Sequence, residues 1–110
     1  MVKETLKRIE TNLAENATLP EEQRTELISL VDKLKIEIQQ LETTNSEDAG
    51  SIVSYTESTL REATRTEPDD VLLQHTLDGL SLSVRRFEVS HPTLMGIINT
   101  ISQVLSGSGI

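Results

Sequence analysis

The sequence predicts an all-α protein: an antiparallel helical hairpin followed by further helices that close into a small bundle. Three observations predict it. Large aliphatic residues recur at steps of three and four, the spacing that gathers them on one helix face. All three prolines stand where a helix would begin. Aromatic residues make up only 2% of the 110 residues, so the core has to be assembled from Leu, Ile and Val with one Phe and one Tyr. Aliphatic side chains of that kind interdigitate in layers between helices.

The first helix is expected over about residues 3–16, where Val2, Leu6, Ile9 and Leu13 step by four, three and four. A second follows from about 20 to 42, with Leu27, Val31, Leu34, Ile38 and Leu41 in the same rhythm. Both stripes are heptad-like, a spacing that permits coiled-coil packing within or between chains. Pro20 opens the second helix, with Glu21 and Glu22 complementing the positive end of its dipole. Thr18 and Glu21 read as a capping box. The link Asn16-Ala17-Thr18-Leu19 is so short that the two helices must run antiparallel.

Residues 43–51, TTNSEDAGS, read as a polar linker. A weaker third helix is expected over about 52–65, with Ile52 or Val53, Thr56, Leu60 and Ala63 as its stripe and Glu57–Arg61 as an i,i+4 ion pair. Pro68, followed by Asp69 and Asp70, opens a fourth helix over about 68–89 that carries Leu73, Leu77, Leu80, Val84 and Phe87 on one face. Gly79 inside it costs about 1 kcal/mol relative to Ala, which points to a close helix contact there. The fifth helix, about 92–106, begins at Pro92 and buries Leu94, Ile97, Ile98, Ile101, Val104 and Leu105. Ser90, His91 and Pro92 form the turn before it, with Ser90 or His91 placed to cap it, and Gly107-Ser108-Gly109-Ile110 reads as its stop. Together these segments are expected to form a single helical domain over 1–110.

Charge is unevenly spread. The net charge is −8, yet Val89 to Ile110 carries no charged residue at all. A helix facing water on such a protein normally carries charges, so the fifth helix is expected to be covered on more than one side, by the bundle or by a partner subunit. The acidic balance opposes binding to nucleic acid or anionic lipid. No run approaches the roughly 18–20 apolar residues of a membrane span, and the start MVKETLKRIE lacks an apolar signal core, so the expected location is the cytoplasm. With no cysteine, there is no disulfide framework, thiolate metal site or Cys nucleophile.

Catalysis needs a nucleophile, a base or a metal set converging in space. His75 and His91 lack the i,i+4 spacing of paired metal ligands; His75 reads as a boundary residue and His91 as part of a turn. Paired acids such as Glu21-Glu22 and Asp69-Asp70 read as helix first turns. Arg85-Arg86 reads as a source of ion pairs with neighbouring helix acids. No catalytic, cofactor-binding or metal-binding residue is therefore assigned, and no cofactor is expected.

The string Arg86-Phe87-Glu88-Val89-Ser90-His91-Pro92-Thr93-Leu94, followed by an apolar helix and a terminal Gly109-Ile110, resembles a bacterial family of short acidic helical proteins known as domain of unknown function 4404. The N-terminal hairpin, with its Pro20-Glu21-Glu22 turn, is similar to that family's first half. The resemblance covers about 1–42 and 80–110, while the Ser/Thr-rich stretch 43–70 departs from the pattern. It implies a bacterial cytoplasmic helical protein and transfers no site.

The expectation drawn from all of this is a non-enzymatic interaction or scaffold protein that self-associates, with a dimer favoured, through apolar helix stripes. Phe87, Leu94, Ile97, Ile98, Ile101 and Leu105 are the expected packing or interface residues. Two alternatives stand beside it: a small-ligand binder or enzyme with a pocket near Phe87–His91, and an acidic regulator that binds a basic protein.

Overall fold

Five α-helices, α1 Val2–Glu15, α2 Glu21–Glu42, α3 Ser46–Ala63, α4 Asp70–Val84 and α5 Pro92–Gly107, follow one another in the computed structural model, which describes residues 2–107. A single 3₁₀ turn, Arg85–Phe87, joins the last two, and no strand occurs among the described residues. The protein is an all-α bundle. Gly109 and Ile110, and most of the expected helix stop, lie outside the described residues.

The apolar stripes explain the packing. Val2, Leu6, Ile9 and Leu13 of α1 are buried, as are Leu27, Val31, Leu34, Ile38 and Leu41 of α2. Leu30, one step off the α2 stripe, joins them. Helix α3 lies at the centre and touches all four others. The remaining helices flank it in the order α1, α2, α5, α4; α4 meets neither α1 nor α2, and the side of α3 that carries Ser51, Ser54 and Tyr55 stays open to solvent. Its central place explains why α3 has so few bulky apolar residues. A helix hemmed in on several sides is packed best by small and β-branched groups, and Ala49, Ile52, Val53, Thr56, Thr59 and Leu60 are all buried. Thr56 and Thr59 enter the interior by donating their hydroxyl hydrogens to the Ile52 and Tyr55 carbonyls one turn back, at 2.8 and 2.7 Å.

The polar linker expected over 43–51 is only three residues long, because α3 begins at Ser46. What read as a break is a helix end followed directly by a helix start. The Thr43 and Thr44 hydroxyls donate to the Gln40 and Leu41 carbonyls at the close of α2. Asn45 then precedes Glu47 and Asp48, which lie in the positive first turn of α3. Polar residues with those roles mimic a loop in sequence.

The fourth helix is also shorter than the 68–89 expected. Asp69 is its N-cap, its carboxylate accepting from the Val71 and Leu72 amides at 2.9 and 3.3 Å, so Pro68 stands outside the helix. At the other end the 3₁₀ turn tightens the chain after Val84 and still delivers Phe87 into the core.

Two local pairings differ from expectation. The capping box at Thr18 and Glu21 does not form. Asn16 Oδ1 instead accepts from the Thr18 amide, the Thr18 hydroxyl and the Leu19 amide at 2.8, 2.7 and 3.0 Å, and Glu21 pairs with Arg24 at 2.7 Å. Asn16 turns the hairpin because a side-chain amide oxygen can gather several donors of its own turn. Glu57, in turn, is held by Arg8 of α1 rather than by Arg61 on its own helix.

Candidate functional site

The six expected packing residues all lie inside the molecule. Leu94, Ile98, Ile101 and Leu105 are at most 1% exposed, and Phe87 and Ile97 are at most 7% exposed. Their neighbours are α2, α3 and α4 of the same chain. The chain's own helices consume most of these contacts, and Ile97 also lines an outer groove. Any surface for a partner has to be sought on the outer faces.

The Phe87–His91 corner is filled, not hollow. The His91 ring meets Phe87 edge to face, with centroids 5.6 Å apart. Arg86 stands with its guanidinium 6.0 Å from the Phe87 centroid and donates from Nη1 to Asp48 Oδ2 on α3 at 3.1 Å. The expected pairing of Arg86 with a helix acid is thus made, and the cation is held against the ring. Hydrogen bonding at the start of α5 is backbone to backbone: the His91 amide donates to the Phe87 carbonyl at 2.8 Å, and the His91 carbonyl accepts the first bond of the helix from the Met95 amide at 3.2 Å. The Ser90 hydroxyl and the His91 ring take no part in it, and Pro92 opens the helix at a position where a missing amide costs nothing. His75 lies exposed on the outer side of α4.

Ion pairs both link helices and brace single turns. Arg8 donates from Nε and Nη2 to the two carboxylate oxygens of Glu57 at 2.8 and 3.2 Å, tying α1 to α3. Hydrogen bonds from Arg8 hold the Glu57 carboxyl below its ordinary 4.5, and the same bonds raise the Arg8 guanidinium. Lys35 and Glu10 join α2 to α1 at 3.8 Å. The largely buried Glu62 is met by Arg65, whose Nη2 donates to Oε2 at 3.1 Å while Nε lies off the hydrogen-bonding line of Oε1 at 2.7 Å. No group of three or more His, Cys, Asp or Glu capable of holding a metal ion occurs among the described residues.

Two outer surfaces carry apolar groups. On α4, Val71, Leu72 and Leu82 are exposed, flanked by His75 and Asp78. This helix is apolar on its inner and outer faces alike, a pattern normally found where both faces are covered. The second surface is a groove of about 460 Å³ between α2 and α5, lined by Leu30, Lys33, Ile36, Glu37, Thr93, Gly96, Ile97 and Thr100. Ile36 on its edge is 56% exposed. The uncharged outer strip of α5, with Thr93, Gly96, Asn99 and Gln103, faces solvent beside it. Helix α5 is covered by α2 on one flank and α4 on the other, and only this neutral strip remains open.

Neither surface was assigned by reading stripes, which selects inward residues. A signal was present in both cases. Ile36 sits midway between the inward Leu34 and Ile38, a position half a turn out of phase with the core. Val71 and Leu82 fall opposite Leu77, Leu80 and Val84 around α4.

Residues 27–110 match the family described as Domain of unknown function (DUF4404), a span that takes in α3, α4, α5 and all but the first turns of α2. No curated protein and no solved structure matches the chain. No helix among the described residues is long and apolar enough to cross a membrane.

Proposed function

From the premise that the chain belongs to the DUF4404 family, whose description carries no activity to transfer, we propose that it is a non-enzymatic helical scaffold of the bacterial cytoplasm that works by binding other protein surfaces and by associating with itself. The observation that carries this reading is the placement of large aliphatic residues outside a core that is already complete. Val71, Leu72 and Leu82 on α4 and Ile36 on α2 project into water although Leu, Ile and Val of the inner stripes fill the interior. Leaving a Leu or Ile exposed forgoes roughly 1.5–3 kcal/mol of burial, and clusters of such groups mark contact surfaces. Helices α4 and α2 do not touch each other, so the molecule offers two separate apolar faces, as a scaffold needs.

The chemistry favours contact over catalysis. Arg8 and Glu57, whose titration is shifted, are tied into an ion pair between helices, and the histidines sit apart, His75 on α4 and His91 against Phe87. Sedimentation equilibrium of the purified protein tests the reading. The expected result is an average mass rising with concentration above the 12.2 kDa of one chain. One chain's mass at every concentration would overturn self-association.

A further inference from the structure

We propose that the α2–α5 face is the surface on which two copies of this chain meet, in an antiparallel two-fold arrangement that sets Lys33 of each copy against Glu37 of the other. The proposal rests on self-association and adds to it the surface, the symmetry and the pairing.

Charge identifies the occupant. At −8 the chain repels its own kind over most of its surface. The α5 side of this groove is the exception, because no charged residue follows Glu88. The only charges lining the groove are Lys33 and Glu37, which cancel. A groove whose lining charges cancel offers little to recruit a basic partner, and one whose two charges are opposite is complementary to itself. In a two-fold interface residue i of one copy meets residue j of the other and the reverse, so one Lys and one Glu yield two ion pairs.

Geometry supports the same assignment. Lys33 and Glu37 are one turn apart on α2, about 6 Å along the axis. Neither makes an ion pair within its own chain among the described residues, whereas Lys35 on the same helix is engaged with Glu10. An axis midway between Lys33 and Glu37 passes beside Ile36, which brings that exposed side chain against its counterpart. A Cβ built on Gly96 has no heavy atom within 4 Å, so this bare backbone on the groove wall lets a second helix come close. A stable interface of about 800 Å² per partner would take roughly an eighth of the 6603 Å² surface.

Charge reversal tests the pairing. Lys33→Glu and Glu37→Lys are each compared with the wild type by sedimentation equilibrium, alone and as an equimolar mixture, with helicity followed by circular dichroism. Each variant alone is expected to associate about tenfold or more weakly than the wild type, because like charges then face each other twice. The mixture is expected to recover wild-type association, since one variant then presents two carboxylates at these positions and the other two ammonium groups. If the wild type associates and the single variants associate equally well, the copies meet elsewhere and the proposal is overturned while self-association stands. If the single variants weaken but their mixture does not recover, the reciprocal pairing is overturned. A wild type at one chain's mass throughout overturns self-association and this interface together.

Discussion

Gly79 shows how a single hydrogen in place of a side chain decides a contact between helices. The Tyr55 ring of α3 lies directly on it: a Cβ at position 79 would stand 2.7 Å from Tyr55 Cδ1 and closer still to Cε1. Alanine is the better helix former by about 1 kcal/mol, yet here it has to displace an aromatic ring. Gly79→Ala is therefore expected to destabilise the protein by about 1–2 kcal/mol in urea unfolding. In a Tyr55→Ala background the same change should stabilise by up to about 1 kcal/mol, because only the propensity remains. Equal effects in both backgrounds would refute the ring contact as the cause. The Arg8–Glu57 pair gives a pH dependence of known sign. Since the Glu57 carboxyl is depressed in the fold, its contribution is complete above its ordinary 4.5 and is lost as pH falls through the lowered value. Arg8 is largely exposed, so Arg8→Gln should destabilise the fold only slightly near pH 7, and by less near pH 3 as Glu57 takes up its proton. Urea midpoints at the two pH values measure the difference.

Each helix divides its residues between a face that must be dry and a face that tolerates change, and α5 states the division most sharply. Ile101 has no exposed surface, and its neighbours are the packed helices of the same chain. Ile101→Asp buries a carboxylate without a partner, so a loss of at least about 4 kcal/mol is expected, read as collapse of the helical circular dichroism signal. Two positions earlier, Asn99 faces solvent. Asn99→Asp introduces the same carboxylate on the open strip and should change stability by no more than about 0.5 kcal/mol. A folded Ile101→Asp protein would show that the inner face of α5 is not packed as described.

At the scale of the molecule, the stripes wrap one another into a body of 38 × 25 × 21 Å with a radius of gyration of 13.0 Å. A compact chain of this length is expected near 13 Å, so the heptad-like spacing of the first two helices is spent on a globule and not on a rod. Because α3 touches every other helix, no helix pair is independent of it, and unfolding is expected as one cooperative transition. If copies associate as proposed, the thermal midpoint must rise with protein concentration, since association stabilises the folded state by mass action. Melts over a hundredfold range of concentration check this, and a constant midpoint would count against folded-state association.

The sequence by itself determined most of the residues that turn inward, because helical periodicity is a local property: the stripes from Val2 to Leu13, Leu27 to Leu41, Leu77 to Phe87 and Leu94 to Leu105 lie in the core, with Val104 and the expected Leu73 only half-buried. It also marked Gly79 as a close contact and Arg86 as a partner for a helix acid. Only the tertiary structure decided that α3 touches every other helix, that just Thr43, Thr44 and Asn45 separate two helices where TTNSEDAGS looked like a linker, and that Arg8 rather than Arg61 holds Glu57. It alone located the open faces at Ile36 and on α4. The reason is physical: a periodic pattern records that a face is buried, but what covers it, and which apolar groups are left over, depends on how helices distant in the chain come to lie side by side.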